Sequence, residues 1–508
     1  MILINPPVVK PCEPPPGIAK LAGSLKENDI SCQIVDANLE GLMNLIKTPK
    51  RGEDKWTSRA VRNLHSHLST LTSLKGYANM ARYSRAVKDV NRVLEKSVHI
   101  DGVHITLTNY QDQRLSPVRS QDLIRAAEAP ERNPFSPYFR KRLLPLLEQE
   151  QSGVVGFSLN YLGQALCTFA MMGILKKECP GVTLVLGGGL MTSWMNRPGW
   201  GNPFGGLVDH MVAGPGEGAL LSILGHAGFD GEGTPDYGAF SKTDYLSPGS
   251  ILPYSASKGC YWHQCSFCPE TAEGNSYRPV SPEQVIRDMT VLIRDNKPGL
   301  IHFLDNAMSP ALLQTIIDHP LDIPWYGFAR ITHHLEDPDF CMGLKRSGCI
   351  MLQIGLESGD QDVLFGMRKG IELGQVSLAL KNLKRAGIAT YVYLLFGTPG
   401  ETLPKARKTL EFTVQQARMI DFLNLAIFNM PANGPDAEKF ETSDFYEGDL
   451  SLYKSFIHPA GWDRGAVRRF LEKEFKKHPV VAAILRNSQP LFTSNHAPFF
   501  SMATNASG

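Results

Sequence analysis

Short aliphatic runs recur along this chain. Residues 2–4, 32–35, 154–158, 183–186 and 208–212 are mostly apolar, and turn-forming residues follow them. Such runs, bounded by proline, glycine or asparagine, read as strands buried on both faces. Helical spacing takes over at residues 18–27 and 163–177. Pro14-Pro15-Pro16-Gly17 opens the first of these helices, because proline is tolerated in a first turn. Strands alternating with helices predict a parallel, doubly wound sheet of Rossmann-like type. Ligands of such sheets sit beyond the carboxyl ends of the strands. Ser158, Gly187-Gly188-Gly189 and Gly214-Pro215-Gly216-Glu217 fall there, and glycine lets backbone approach a ligand closely.

Residues 47–145 interrupt this pattern with 19 Lys and Arg against 9 Asp and Glu. Val61, Leu64, Leu68 and Leu71 predict a helix in the insertion. Two readings stand: a lid or a site for an anionic substrate or cofactor tail, and a solvated helical insertion. Residues 228–249, rich in Gly, Asp, Ser and Pro, read as a connector.

Beyond the connector the alternation restarts. Strands are predicted at 251–256, 300–304, 325–328, 351–356, 390–396 and 422–428. Helices are predicted at 282–294, 338–346, 373–386 and 403–417. Six such units imply a partial (β/α)6 barrel with its site at the carboxyl ends of the strands. The tail, 432–508, has one clear helix at 464–477, and His496 among apolar neighbours reads as a packed histidine. The predicted organisation is therefore a Rossmann-like domain at 1–225, a linker at 226–250, a barrel at 251–431 and a short, partly helical extension at 432–508.

Composition narrows the class. A chain of 508 residues holds two or three domains. With 43% hydrophobic and 20% charged residues it is an ordinary globular protein, and a net charge of +2 gives no case for a nucleic-acid partner. Nine cysteines, an odd number, do not suggest a secreted disulfide framework. The first seven residues lack the pattern of a signal peptide, and no apolar run approaches a membrane span. A reducing cytoplasm is the expected location.

The chemistry concentrates at residues 259–270, G-C-Y-W-H-Q-C-S-F-C-P-E, where Cys260, Cys265 and Cys268 form C-x4-C-x2-C. Thiolates are soft ligands suited to iron–sulfur clusters, zinc or copper. Three thiols on a compact loop can hold three irons of a 4Fe–4S cluster and leave the fourth open to a substrate. Phe267 would shield the cluster from water. The competing reading is structural zinc, which wants four ligands. His263 would be the fourth, from inside the loop, and Cys341 and Cys349 are distant.

This stretch resembles the cluster loop of radical S-adenosylmethionine (SAM) enzymes. The commonest family spacing is C-x3-C-x2-C with an aromatic before the third cysteine. This chain keeps the aromatic and has one extra residue in the first gap, as some branches do. The resemblance extends over residues 252–431 through Arg330, Gly355-Leu356-Glu357-Ser358, Arg368-Lys369-Gly370 and Gly397-Thr398-Pro399-Gly400-Glu401. It implies that Gly355, Glu357 and Ser358 approach the methionine and ribose of SAM, and that Gly397 and Pro399 lie near its adenine. A carboxylate such as Glu357 can bond ribose hydroxyls or an α-ammonium group, and Arg330 can pair with the SAM carboxylate. Read singly, Arg330 can equally be an internal ion pair and residues 397–400 only a tight turn.

The first half is similar to the cobalamin-binding domain that precedes many radical SAM domains. The matching residues are Asn5-Pro6-Pro7, Pro16-Gly17, Val35-Asp36-Ala37, Gly156-Phe157-Ser158, Gly187, Gly188, Gly189, Gly214 and Gly216. No D-x-H-x-x-G motif is present, and none of the fourteen histidines lies between Ile105 and Asp209. The resemblance implies base-off cobalamin without a histidine ligand, or loss of cobalamin. The other reading is a Rossmann-like domain that binds nothing. As an enzyme the chain is expected to form a 5′-deoxyadenosyl radical and methylate an unactivated carbon. Cyclisation or rearrangement without methyl transfer is the alternative, and a non-catalytic cobalamin or zinc sensor is the reading from another class. A small-molecule or peptide substrate and a low-potential donor such as flavodoxin or ferredoxin complete the expectation. No catalytic side chain stands out.

Overall fold

The aliphatic runs pair as two parallel sheets, one in each of two units. The computed structural model describes residues 1–47, 54–150, 153–226, 233–240, 244–488 and 493–505. One unit comprises Met1–Pro248 with Tyr446–Leu452, and the other Gly249–Phe445 with Tyr453–Gly508.

The first unit contains β1 (Ile2–Ile4), β2 (Gln33–Val35), β3 (Val154–Ser158), β4 (Thr183–Gly187) and β5 (His210–Met211), in the order β2-β1-β3-β4-β5. Every pairing is parallel. All five residues of β3 are buried, as expected of a strand covered on both faces. The run at 208–212 yields only two strand residues. The Asp209 carboxylate instead accepts from the Leu184 amide and from Lys176 Nζ, both at 2.7 Å.

In the insertion, the helix expected through Val61 and Leu71 is two helices, Lys55–Arg62 and Leu64–Leu71, broken at Asn63. Both lie against the long helix Met80–Ser97, whose Tyr83, Val87, Val90, Val93 and Leu94 are buried. Asp89 of that helix accepts from Trp56 Nε1 at 2.7 Å and lies 3.1 Å from His67 Nε2. The insertion is thus a packed helical body with a core of its own.

The second unit contains β6 (Ile251–Tyr254), β7 (Leu300–Met308), β8 (Trp325–Ala329), β9 (Cys349–Glu357), β10 (Ala389–Phe396) and β11 (Phe422–Ile427), in sequential order across one sheet. Its pairings are all parallel, joined by helices including Pro282–Asn296, Pro338–Arg346, Leu373–Ala386 and Leu403–Gln415. Phe328 on β8 and Tyr393 on β10 approach to 5.0 Å between ring centroids although β9 lies between them. A flat sheet would hold such positions about 9–10 Å apart, so this face is concave.

In the tail, the expected helix begins as Arg464–Phe470 and widens into a π turn at Leu471–Phe475. Pro479 then starts a second helix, Pro479–Asn487. Asn495 and His496 are buried, with Asn495 Nδ2 3.4 Å from His302 Nδ1 and His496 edge-on to Phe499. A small antiparallel sheet of Met430–Pro431, Thr442–Asp444 and Tyr453–Phe456 was not foreseen. Among the described residues no helix is long and apolar enough to cross a membrane.

Candidate functional site

The cysteine loop leaves the carboxyl end of β6. Its base is closed by Ser257–Lys258 pairing antiparallel with Arg278–Pro279. Asp305 on β7 pins the entry by accepting from the Ala256 amide at 3.1 Å and from the Ser257 hydroxyl, and Asn306 Nδ2 donates to Gly259 O at 3.3 Å. Gly259 has φ +70, and a Cβ there would lie 2.7 Å from Ser276 O, so only glycine fits. Cys260, Cys265 and Cys268 are free and half-buried. Burial raises the Cys265 thiol pKa against the pull of the Lys369 and Arg330 cations. Burial pushes Cys268 up to about 11, opposed by the amides of Glu270 and Thr271.

Among the described residues no three His, Cys, Asp or Glu side chains are gathered tightly enough to hold a metal ion. The donor chemistry nonetheless suits an iron–sulfur cluster: three thiols, two neighbouring cations to offset thiolate charge, and an apolar cover. Phe267 supplies the cover by packing against the cluster of Phe428 and Met430. Cys341 and Cys349 are fully buried elsewhere, with thiol contacts to the backbone oxygens of Leu335 and Met351. Among the described residues, buried His263 Nδ1 has no hydrogen-bond partner.

A second segment, residues 367–370, clamps this loop. The Ser266 amide donates to Met367 O and Trp262 Nε1 to Arg368 O, both at 3.0 Å. Arg330 Nη2 donates to Lys369 O at 2.7 Å, and its guanidinium stacks 4.2 Å from the Trp262 ring centroid. Gly370 has φ +66, and a Cβ there would come within 2.1 Å of Trp262. Lys369 Nζ pairs with Glu357 Oε1 at 2.9 Å and lies 5.6 Å from the Phe267 centroid. Glu357 itself sits at φ +67 at the end of β9. Gly355 leaves room for the pair, since a Cβ there would approach Glu357 Oε1 to 2.5 Å and Lys369 Nζ to 2.8 Å.

The structure thus brings Arg330, Gly355 and Glu357 together beside the cysteine loop. Ser358 is different. It is fully buried, its Oγ accepts from the Asp360 amide at 3.1 Å, and the same atom lies 3.1 Å from Thr409 Oγ1. Any role of Ser358 toward SAM would have to use its backbone.

The turn after β10 is built around Glu401. Its Oε2 accepts from the Gly397 amide at 2.5 Å and from Trp462 Nε1 at 2.8 Å. His458 Nδ1 receives the amides of Ala460 and Trp462, so the hydrogen is on Nε2, which donates to Thr398 O at 3.0 Å. Gly397 has φ +83, and Pro399 is half-exposed. His458 and Trp462 carried no sequence signal. They lie 60 and 61 residues from their partners.

In the first unit, the strand ends hold Ser158, Gly187, Gly188 and Gly189, with Gly214 and Gly216 in the loop after β5. Gly189 and Gly214 are exposed, and among the described residues nothing lies within 4 Å of a Cβ built on Gly214. Gly188 serves the fold: it sits at φ +106, and a Cβ there would lie 2.5 Å from Leu159 O. Asn160 ties these ends together, donating to Ser158 Oγ at 3.0 Å and accepting from the Gly189 amide at 2.9 Å. Behind them Asn5 Nδ2 and Tyr245 OH donate to Asp36, at 2.9 and 2.6 Å. Burial nevertheless raises the Asp36 pKa. The loops at these strand ends carry no histidine.

The chain is similar to known proteins. The radical SAM superfamily profile matches residues 254–413. The anaerobic magnesium-protoporphyrin IX monomethyl ester cyclase of Rubrivivax gelatinosus is 26% identical over 272 residues, 48% of this chain and 47% of that protein. The hopanoid C-3 methylase of Methylococcus capsulatus is 25% identical over 342 residues, 60% of this chain and 64% of that protein. The chain thus spans about half to two thirds of these relatives. A structure of the radical SAM methyltransferase TsrM from Kitasatospora setae, with cobalamin and a 4Fe–4S cluster bound, aligns with a TM-score of 0.52 at 14% identity, over 88% of this chain and 77% of that one. That likeness shows an α/β fold with parallel sheets. Residues 254–413, which carry the cysteine loop, Arg330, Glu357 and Lys369, are thus similar to the radical SAM superfamily.

Proposed function

We propose that this chain is a cobalamin-dependent radical SAM enzyme that methylates an unactivated carbon. The observation that carries this reading is the placement of three half-buried thiols in one loop, clamped beside Glu357, Arg330 and Lys369. Cys260, Cys265 and Cys268 would hold a 4Fe–4S cluster. Gly355 and Glu357 would meet the methionine and ribose of SAM, and Gly397 and Pro399 its adenine. Arg330 holds the 367–370 segment through Nη2, and its other N–H groups would serve the SAM carboxylate. Ser158, Gly187, Gly189, Gly214 and Gly216 would border cobalamin. When bound, these groups supply one-electron cleavage of SAM, a carbon radical and a transferable methyl group. The protein's part is to exclude water with Phe267 and its apolar neighbours and to hold the reactants in register.

Similarity to the hopanoid C-3 methylase supports methyl transfer, and similarity to the cyclase favours a second reading, radical chemistry without it. Anaerobic reconstitution with iron, sulfide and cobalamin separates the two. Methyl transfer expects retained cobalamin, a Co(II) paramagnetic resonance signal without nitrogen splitting, and label passing from methyl-labelled SAM to product. Failure to retain cobalamin moves the assignment to the second reading. Clear nitrogen splitting overturns the histidine-free site.

A further inference from the structure

We propose that Lys369 is a positioning residue serving both halves of the radical SAM centre: it holds Glu357 for SAM and places a fixed positive charge beside the cluster loop. The inference rests on the functional reading above and goes beyond it, because neither the cysteine motif nor the SAM-facing segment assigns a role to this side chain.

A buried ammonium is costly unless paired. Lys369 is 6% exposed, and its ion-pair partner is Glu357, at 2.9 Å. A structural ion pair would need nothing more, yet this one is aimed. The ammonium faces the ring of Phe267, the residue before Cys268, 5.6 Å from its centroid. The backbone around it is fixed to the cysteine loop by two hydrogen bonds, Ser266 to Met367 O and Trp262 to Arg368 O, and to the end of β8 by a third, Arg330 to Lys369 O. Glu357 is in turn held at a left-handed φ of +67, a conformation that a non-glycine residue keeps only when its surroundings impose it. Gly355 keeps free the space that the pair occupies. One side chain therefore touches the carboxylate offered to SAM and the aromatic cover of the cysteines. When a flavodoxin- or ferredoxin-type donor passes one electron to the cluster, the site gains one negative charge. A fixed cation in a poorly solvated setting favours that gain.

The test uses reconstituted holoprotein: wild type, Lys369→Met, Lys369→Arg and Glu357→Gln. Iron content, the cluster's midpoint potential by redox titration with paramagnetic resonance, and SAM affinity by anaerobic calorimetry are read for each. Lys369→Met should keep its iron yet be reduced about tenfold less favourably at a given potential, a shift of 59 mV to the negative for one electron. It should also bind SAM about tenfold more weakly. Lys369→Arg should restore most of both. Glu357→Gln, which leaves the cation less compensated, should weaken SAM binding but move the potential the opposite way, and this arm stands even if Lys369→Met loses iron. A Lys369→Met protein with wild-type potential and SAM affinity, or a Glu357→Gln protein with an unshifted or more negative potential, overturns the proposal. A wild type that assembles no cluster overturns the functional reading beneath it.

Discussion

Replacing Glu401 by glutamine should reverse a pH-dependent weakness in the second unit. The carboxyl is fully buried, and burial pushes its pKa up from 4.5 to about 7. The hydrogen bonds from Gly397 and Trp462 oppose that rise, and the charge of Asp360 adds to it. Among the described residues, Oε1 has no hydrogen-bond partner. Between pH 4.5 and 7 the folded chain keeps a proton that the unfolded chain has released. Stability is therefore full below 4.5, falls as pH rises through that window, and levels off above it. At 1.36 kcal/mol for each pKa unit the loss is about 3 kcal/mol. Glutamine keeps the shape and cannot ionise. Its unmet amide adds a constant penalty at every pH, so the slope, rather than the level, is diagnostic. Calorimetric melting of both proteins across the range cancels the titrations they share. The mutant's melting temperature relative to wild type should climb by roughly 6–12 °C from the acid to the alkaline side. A difference that stays flat with pH would refute the reasoning.

Other expectations concern the cysteine loop. Cys260→Ala, Cys265→Ala and Cys268→Ala should each abolish the cluster in iron assays. Replacement of Cys12, Cys32, Cys167 or Cys179 should leave iron content unchanged, and a fully loaded Cys265→Ala protein would sink the ligand assignment. Gly370→Ala should drive Trp262 off Arg368 O, because the new methyl would lie 2.1 Å from the indole at φ +66. The expected cost is about 1–3 kcal/mol, with poorer iron retention. Wild-type melting temperature and iron content in that variant would show that the clamp is dispensable.

The sequence made the parallel strands legible because buried runs between turn residues have few other uses. It made the cysteine loop legible because three thiols within nine residues do too. It missed what closes the site, since closure depends on residues far apart in the chain. Trp262 meets Arg368 across 106 residues and Trp462 meets Glu401 across 61. Neither tryptophan has a local pattern that sets it apart from core. The inward turn of Ser358 was not legible, because strand alternation ends at Glu357, whose φ of +67 redirects the chain. Residues Val61 to Leu71 misled because their apolar spacing continues across the break at Asn63, both short helices packing on the same longer one.

The central claim is that Cys260, Cys265 and Cys268 assemble a cluster that cleaves SAM. The most direct measurement is anaerobic reconstitution of the full chain, followed by reduction with SAM present. Radical SAM chemistry predicts about four irons for each chain and the appearance of 5′-deoxyadenosine, both lost when any one of the three cysteines is replaced. One zinc in place of iron, with no SAM cleavage, would contradict it.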